Sequence, residues 1–389
     1  MTQPTLRFKG YSIGWSNTTI KEFFTIFNGY AFKSDDSTDK GCRWIKIADV
    51  GINQIKDSSA SYLPKDFSEK FQRFVLKEGD IVMALTRPIL NKKLKIARLG
   101  KEHTGALLNQ RVGKINTDNN IDFVRQKLQS YKLLSQIEAR IAGTDPPNLS
   151  PSEINSIKIS IPSISEQQKI AAFLSAVDNK LEQLTKKKEL LEEYKKGVMQ
   201  KIFSQELRFK DDNGNNYPDW EKNKLGEVCN IKKGKQLNKI ELTEAGLYPA
   251  LNGGINPSGY TDKWNTEKET ITISEGGNSC GYVNLSNTRF WCGGHCYSLL
   301  DLKVSVNFRY LFQILKFLEA HIMRLRVGSG LPNIQMKEIK NFSISIPKIL
   351  EQKKIANFLS SLDSKIELVN TQIENTNAFK KGLLQQMFV

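Results

Sequence analysis

Apolar residues recur at alternating steps of four and three along two stretches of the chain. One series is Ile170, Leu174, Val177, Leu181 and Leu184; the other is Ile355, Leu359, Leu362, Ile366, Val369 and Ile373. This spacing writes a narrow heptad stripe, which predicts a helix packed on a single partner. The surrounding sequence is itself repeated. ISIPSISEQQKIAAFLSAVDNKLE (159–182) returns as ISIPKILEQKKIANFLSSLDSKIE (344–367), and KKGVMQKIF (195–203) returns as KKGLLQQMF (380–388). Two matching seams in one chain most simply bury each other. The first helix would carry the chain about 55–60 Å from the first globular part. The second must come back along it, so the expected pair is antiparallel, with the two halves related by an approximate two-fold axis.

Between the helical stretches the pattern changes to short strand-like runs. The first half has WIKIADV (44–50), DIVMAL (80–85), KIARL (95–99) and ALLNQRVGKI (106–115), then a helical run over 123–141. The second has ETITIS (269–274), GYVNL (281–285) and RFWCGGHCYSLL (289–300), then a helical run over 307–325. Each half opens with LRF and a tryptophan (Trp15, Trp220), and each has a glycine turn early on, at Gly29 and Gly234. Both close on similar loops, GTDPPNLSPSEI (143–154) and GSGLPNIQMKEI (328–339). The predicted fold class is α/β in the α+β sense, with two mixed domains separated by two long antiparallel helices. The expected boundaries are a first domain over 1–150, a helical spacer over 151–206, a second domain over 207–340 and a second spacer over 341–389.

Charge then indicates where a partner binds. The chain of 389 residues carries 57 Lys and Arg against 41 Asp and Glu, a formal charge of +16. The helices hold little of it: eight basic against six acidic residues over 164–203, and five against four over 350–388. The remaining +13 lies in the domains, the expected place for a polyanion. No long apolar run or basic amphipathic helix favours a membrane. Five cysteines without framework spacing suit a reducing cytoplasm.

The repeated blocks, IPxIxEQxKIAxFLSxxDxKxE with Gly-x-x-x-Pro-Asn before each copy, resemble the specificity subunit of Type I restriction-modification systems. So do the LRF and Trp opening of each half, DIVMALTRPI with LLNQRVGKI in the first, and ISEGGNSCGYV with YSL in the second. The resemblance covers almost the whole chain. It implies two target-recognition domains, each reading one half of a split double-stranded DNA site. It also implies helices that dock two copies of a modification subunit, to which restriction subunits add. Such a chain is not an enzyme; S-adenosylmethionine, Mg and ATP are expected on the partner subunits, and none in this chain.

Base reading needs Arg, Lys, Asn or Gln side chains on loops that reach a groove. The candidates are Arg87, Asn91, Lys92, Lys93, Asn109, Gln110 and Arg111 in the first half. In the second they are Lys232, Lys233, Lys235, Gln236, Glu275, Asn278, Ser279 and His295. Gly197 and Gly382 sit at matched places near the helix ends, as a kink or stop, or as a close approach for a partner subunit. Lys188 falls on the seam where its repeat has Ile373, and a polar group there sets helix register.

Three catalytic or metal readings fit less well. Asp145-Pro146-Pro147-Asn148 approaches an amino-methyltransferase signature, but Asn148 replaces the stacking aromatic and no glycine-rich cofactor turn follows a strand. Cys292, His295 and Cys296 with Cys280 lack the paired spacing of a zinc site. Asp219, Glu221 and Lys222 are too close together to surround a scissile phosphate as a nuclease would. Apart from a specificity subunit, the remaining alternatives are a stand-alone DNA-binding regulator and a self-sufficient methyltransferase or nuclease.

Overall fold

The computed structural model describes residues 3–58, 60–141, 143, 146–328 and 330–388. The chain divides into two compact units: residues 1–185 with 371–389, and residues 186–370. Both cuts fall inside the long helices, Ile164–Phe203 and Ile349–Met387. Each unit therefore contains the first half of one helix and the second half of the other.

The two units repeat one topology. In the first, a four-stranded antiparallel sheet runs in the order Thr25–Asn28, Val112–Asn116, Ile81–Ala84, Ile96–Arg98. In the second, the same order is Asn230–Lys233, Cys296–Leu300, Thr270–Ser274, Val283–Ser286. The central strands Ile81–Ala84 and Thr270–Ser274 are buried at every position. This explains why they read as continuous β-branched or apolar runs rather than as alternating ones. A smaller three-stranded sheet flanks each core, Ser61–Leu63 with Cys42–Ile45 and Leu107–Leu108, and Tyr260–Thr261 with Tyr248–Leu251 and Trp291–Cys292.

The helical spacers begin later than the sequence suggests. Residues 151–163 and 341–348 are not part of the long helices. Strand Lys158–Ile161 pairs antiparallel with Ser16–Thr19, and Ser343–Ile346 pairs with Glu221–Lys224. The start of each globular part is thus fastened to the chain just before a long helix. The helical runs expected over 123–141 and 307–325 are each two helices. They are Ile121–Leu128 with Tyr131–Ile141, and Phe308–Phe317 with Glu319–Arg324, broken near Gln129 and Leu318.

The repeated Glu-Gln pair at each long-helix start has a mechanical role. Glu166 accepts the Arg7 guanidinium through both oxygens at 2.7 Å, and Glu351 accepts Arg208 at 3.0 and 2.8 Å. An acidic side chain in the first turn also suits the helix dipole. Gln167 donates to the Pro162 carbonyl and accepts from the Asn120 amide; Gln352 does the same with Pro347 and Asn307. Asn120 and Asn307 in turn cap the helices that follow them, at Phe123 and Tyr310.

Most of the seam is buried, with Leu181, Ile366 and Ile373 half-buried, and it packs on more than one partner. Ile170, Leu174 and Val177 join a core that holds Trp15, Phe123, Leu383, Met387 and Phe388. In the other unit Ile355, Leu359 and Leu362 share a core with Met199, Ile202 and Tyr310. The last aromatic of each long helix enters a domain core: Phe388 lies 5.5 Å from the Phe123 ring, and Phe203 lies 6.1 Å from Tyr310 and 5.0 Å from Phe317. Within the seam, Lys188 donates to Asn370 at 2.8 Å, as a register-setting polar contact would.

A polar clasp joins the helices in each unit. Lys380 bonds Asp178 at 2.5 Å, and Arg125 and Gln126 bond the other oxygen of Asp178. Lys195 bonds Asp363 at 2.5 Å, and Gln313 bonds its other oxygen. The first clasp is the more enclosed, with Asp178 at 15% exposure against 43% for Asp363. Burial raises the Asp178 pKa, but Lys380, Arg125 and Gln126 outweigh it and hold the carboxyl below its ordinary value.

Two predictions follow from this packing. Phe388→Ala should destabilise the first unit by about 3–5 kcal/mol, as loss of a buried aromatic does, read as a lower urea midpoint. Asp178→Asn should cost about 3 kcal/mol at neutral pH, because it leaves Lys380 and Arg125 short of their anion. A depressed carboxylate pKa contributes stability above the unfolded value of about 3.9, and that contribution is lost as pH falls through the folded value. The gap between wild type and Asp178→Asn should therefore hold from about pH 5 upward and narrow progressively as pH falls below about 4, in urea titrations across pH.

Candidate nucleic-acid interface

The two units can be aligned residue by residue through their backbone hydrogen bonds. The Gly29 amide donates to Val112 and Gly234 donates to Cys296; Tyr30 donates to Leu108 and Lys235 to Cys292; Leu85 donates to Arg111 and Glu275 to His295. Asn109-Gln110-Arg111 in one unit therefore occupies the place of Gly293-Gly294-His295 in the other. Gly29 and Gly234 are required where the edge strand crosses this turn. A Cβ on Gly29 would stand 2.2 Å from the Leu108 carbonyl, and one on Gly234 would stand 2.2 Å from that of Gly293.

A second turn follows each central strand, and the Pro-Asn loop before each long helix is pinned to it. Arg87 and Leu149 exchange backbone bonds with Pro147 and Leu85, while Thr86 Oγ1 donates to Asn148. In the other unit Gly277 and Ile334 bond Pro332 and Glu275, and Gly276 bridges Asn333. Asn148 is thereby engaged in holding a turn, and Asp145 of the methyltransferase-like string lies outside the described residues.

In the first unit this turn grows into a hairpin, Ile89–Leu90 with Lys93–Leu94. Asn91 and Lys92 both have positive φ, 50° and 56°, the geometry of the mirror-image two-residue turn that matches strand twist. Asn accepts this conformation readily; Lys does not. Arg87 is a third positive-φ residue, at 47°. Arg87, Asn91, Lys92, Lys93, Gln110 and Arg111 are all exposed. Just beneath, burial lowers the Lys95 pKa, and the neighbouring charges of Lys56 and Arg87 lower it further. This crowding of cations favours an anion nearby.

Asn109 stands apart from the other candidates. It is 9% exposed, and its carboxamide oxygen accepts the Arg111 amide, so it shapes the turn. In the second unit Lys232, Lys233, Lys235, Gln236, Asn278 and His295 are exposed. Glu275 is 4% exposed, accepting Lys233 at 2.5 Å and the Tyr297 hydroxyl at 2.9 Å; Ser279 donates to the Gly253 carbonyl. Glu275 and Ser279 therefore build the site from within. Burial raises the Glu275 pKa, yet the bonds from Lys233 and Tyr297 bring it below its ordinary value, so it is a buried anion.

Sequence reasoning missed Asn252 and Trp291. Asn252 accepts the His295 amide and, with Gln236, Leu237, Lys239, Ser258 and Trp291, lines a cavity of about 450 Å³ beside these cations. The Asn-Gly-Gly string at 252–254 was a turn signal that could have pointed there. The cysteines do not gather around His295: Cys292 and Cys296 pack with Leu251 and Phe290, and Cys280 donates to the Glu275 carbonyl. Among the described residues no group of three or more His, Cys, Asp and Glu could hold a metal ion, and no helix is long and apolar enough to cross a membrane.

Gly197 and Gly382 do not end their helices, which continue to Phe203 and Met387. A Cβ at Gly197 would meet nothing within 4 Å, and at Gly382 only the end of Gln386. Three residues before each stands a half-exposed aromatic, Tyr194 at 53% and Phe379 at 54%.

The family model for the Type I restriction modification DNA specificity domain matches residues 12–193 and again 217–377. The chain belongs to this specificity family. The paired matches coincide with the two structural repeats. Among curated relatives, the chain is 35% identical over 199 residues to the Type I restriction enzyme MjaVIII specificity subunit of Methanocaldococcus jannaschii, covering 50% of this chain and 47% of that protein. A putative type I specificity subunit of Mycoplasma pneumoniae is 35% identical over 176 residues, covering 45% and 47%. The chain thus spans about half the length of these curated relatives. A solved structure of the S subunit of a Type-I restriction-modification system from M. genitalium superposes with a TM-score of 0.73 at 21% identity, covering 100% of this chain and 99% of that one. The family fold and the duplicated mixed architecture agree.

Lys92→Gly should raise thermal stability, by about 1 kcal/mol, since it relieves a left-handed lysine in the specificity-domain hairpin. Differential scanning calorimetry reads this directly.

Proposed function

We propose that this chain is the non-catalytic, sequence-reading subunit of a Type I restriction-modification complex. Each unit reads one half of a bipartite, asymmetric double-stranded DNA site, and the bases between are spanned unread. The observation that carries this reading is the pair of equivalent turns. One backbone frame presents Asn109-Gln110-Arg111 in one unit and Gly293-Gly294-His295 in the other. A duplicated scaffold with unlike exposed side chains suits two different half-sites. The exposed cations Arg87, Lys92, Lys93, Lys232, Lys233 and Lys235 supply phosphate contacts, which position a protein on the duplex, while other side chains on the same turns reach base edges. The domains lie in the cytoplasm with the DNA they read.

The long helices serve as docking surfaces for two copies of a modification subunit, which restriction subunits then join. S-adenosylmethionine, Mg and ATP belong to those partners. Gly197 and Gly382 with Tyr194 and Phe379 form matched, unobstructed notches beside exposed rings, and this supports equivalent docking at both.

Exchange of residues 207–340 for the corresponding region of another family member tests the reading. Methylation mapping of the reconstituted complex should show one half of the site replaced and the other retained; alteration of both halves rules out independent reading. Lys92→Gly should also reduce the salt dependence of duplex binding by about one unit of slope. At the helices, Gly197→Ala should stabilise the free chain by about 0.5–1 kcal/mol, since a helical glycine gives way to alanine in open space. It should nonetheless weaken capture of the modification subunit in titration calorimetry. Unchanged affinity would count against the notch.

A further inference from the structure

The position shared by Arg111 and His295 differs between the units in more than the residue it holds. Behind Arg111, the aligned residue on the central-strand turn is Leu85, which is buried and apolar. Behind His295 it is Glu275. The edge-strand neighbour is Asn28 in one unit and Lys233 in the other, and the next strand position is Gly113 against Tyr297. The second unit has thus built a charged support beneath its turn where the first has none.

That support has one open valence. Glu275 Oε1 is saturated by Lys233 and Tyr297, and the Tyr297 hydroxyl also reaches the Ile334 carbonyl. Glu275 Oε2 is buried and makes no hydrogen bond among the described residues, and His295 Nδ1 stands 3.4 Å from it. In a neutral imidazole the carboxylate oxygen favours the tautomer with the proton on the nitrogen it faces, and the other nitrogen then presents a lone pair. The rest of the ring is free to meet a ligand, since the His295 side chain is 61% exposed. Its backbone is held on both sides, because the amide donates to Asn252 and the carbonyl accepts the Glu275 amide at 2.9 Å.

We infer that the Arg111 and His295 position is a specificity-determining position of each unit: Arg111 selects guanine, and His295, oriented by Glu275, selects a base that offers an amino donor, adenine or cytosine. This rests on the proposed reading of duplex DNA and names the bases it discriminates. The Arg111 guanidinium makes no hydrogen bond or ion pair among the described residues. Its fork of donors matches the O6 and N7 acceptors that only guanine presents together in the major groove. His295 with its proton on Nδ1 turns an acceptor outward. The N6 amino group of adenine and the N4 amino group of cytosine satisfy it, whereas guanine O6 and thymine O4 place a second lone pair against it. Glu275 is a positioning residue in this scheme and touches no base.

The test uses the full chain and randomised duplex DNA, selected at low salt and sequenced. The wild type should enrich a split motif with a required guanine in one half and an adenine or cytosine in the other. Arg111→Gln should lose the guanine preference by about tenfold or more, since a good bidentate pair discriminates by about that factor, with the other half unchanged. His295→Arg should convert the adenine or cytosine position to guanine. Both residues are exposed, so neither change threatens the fold. Glu275→Gln lets a carboxamide donate to Nδ1 and moves the ring proton outward, so preference at that one position should shift toward guanine or thymine. A merely structural Glu275 would leave the selected base unaltered. If the wild-type motif is enriched and the Arg111 and His295 variants retain it at every position, the inference is overturned while the proposed function stands. If the wild type enriches no split motif, the proposed function itself fails.

Discussion

The constraint on which the structure depends is that neither domain core is complete without the far end of a helix that began in the other unit. Phe388 reaches the ring of Phe123, and Phe203 reaches Tyr310 and Phe317. Burial of large aromatic side chains is worth several kcal/mol, a considerable share of the stability of an ordinary domain. The antiparallel course of the helices is therefore imposed by core completion as well as by the seam. The polar clasps then fix the register. A slip of one turn would separate Asp178 from Lys380 and Asp363 from Lys195, and would leave the buried Lys380 uncompensated.

The same economy appears at the helix starts. Arg7 and Arg208 lie near the beginning of each domain sequence, and each forks onto a glutamate in the first turn of the long helix that follows its domain. Strand pairing of Ser16–Thr19 with Lys158–Ile161, and of Glu221–Lys224 with Ser343–Ile346, closes each domain on the same junction. The junction at each long-helix start is thus held by side-chain and backbone hydrogen bonds alike.

Much of this was legible in the sequence because it was written twice. The heptad positions, the equivalence of Trp15 with Trp220, and the helical identity of 164–203 and 349–387 all follow from repetition joined to periodicity. The function of the Glu-Gln pair was not legible, since Arg7 and Asn120 are brought to it by long-range folding and no local pattern names them. Candidate residues on turns separated for a similar reason. Asn109 and Arg111 are two residues apart in one polar string, yet one is turned inward by a hydrogen bond to the other. Glu275 reads as one more loop acid, and only the pairing of its strand with Cys296–Leu300 places it beneath His295.

The division of labour between backbone and side chain explains how one scaffold carries two unlike faces. The turns are held by amide-to-carbonyl bonds, Leu85 to Arg111 and Glu275 to His295, Tyr30 to Leu108 and Lys235 to Cys292. Such bonds are indifferent to side-chain identity, so the exposed residues can change without loss of the frame. The close approaches at Gly29 and Gly234 are the exception, because any side chain there collides with the turn it supports. Buried positions behind the turn are freer than these glycines but less free than the surface. A charge such as Glu275 is tolerated only with Lys233 and Tyr297 to satisfy it. A charged support such as the one behind His295 therefore requires a coordinated set of changes, whereas the exposed Arg111 has only the apolar Leu85 behind it.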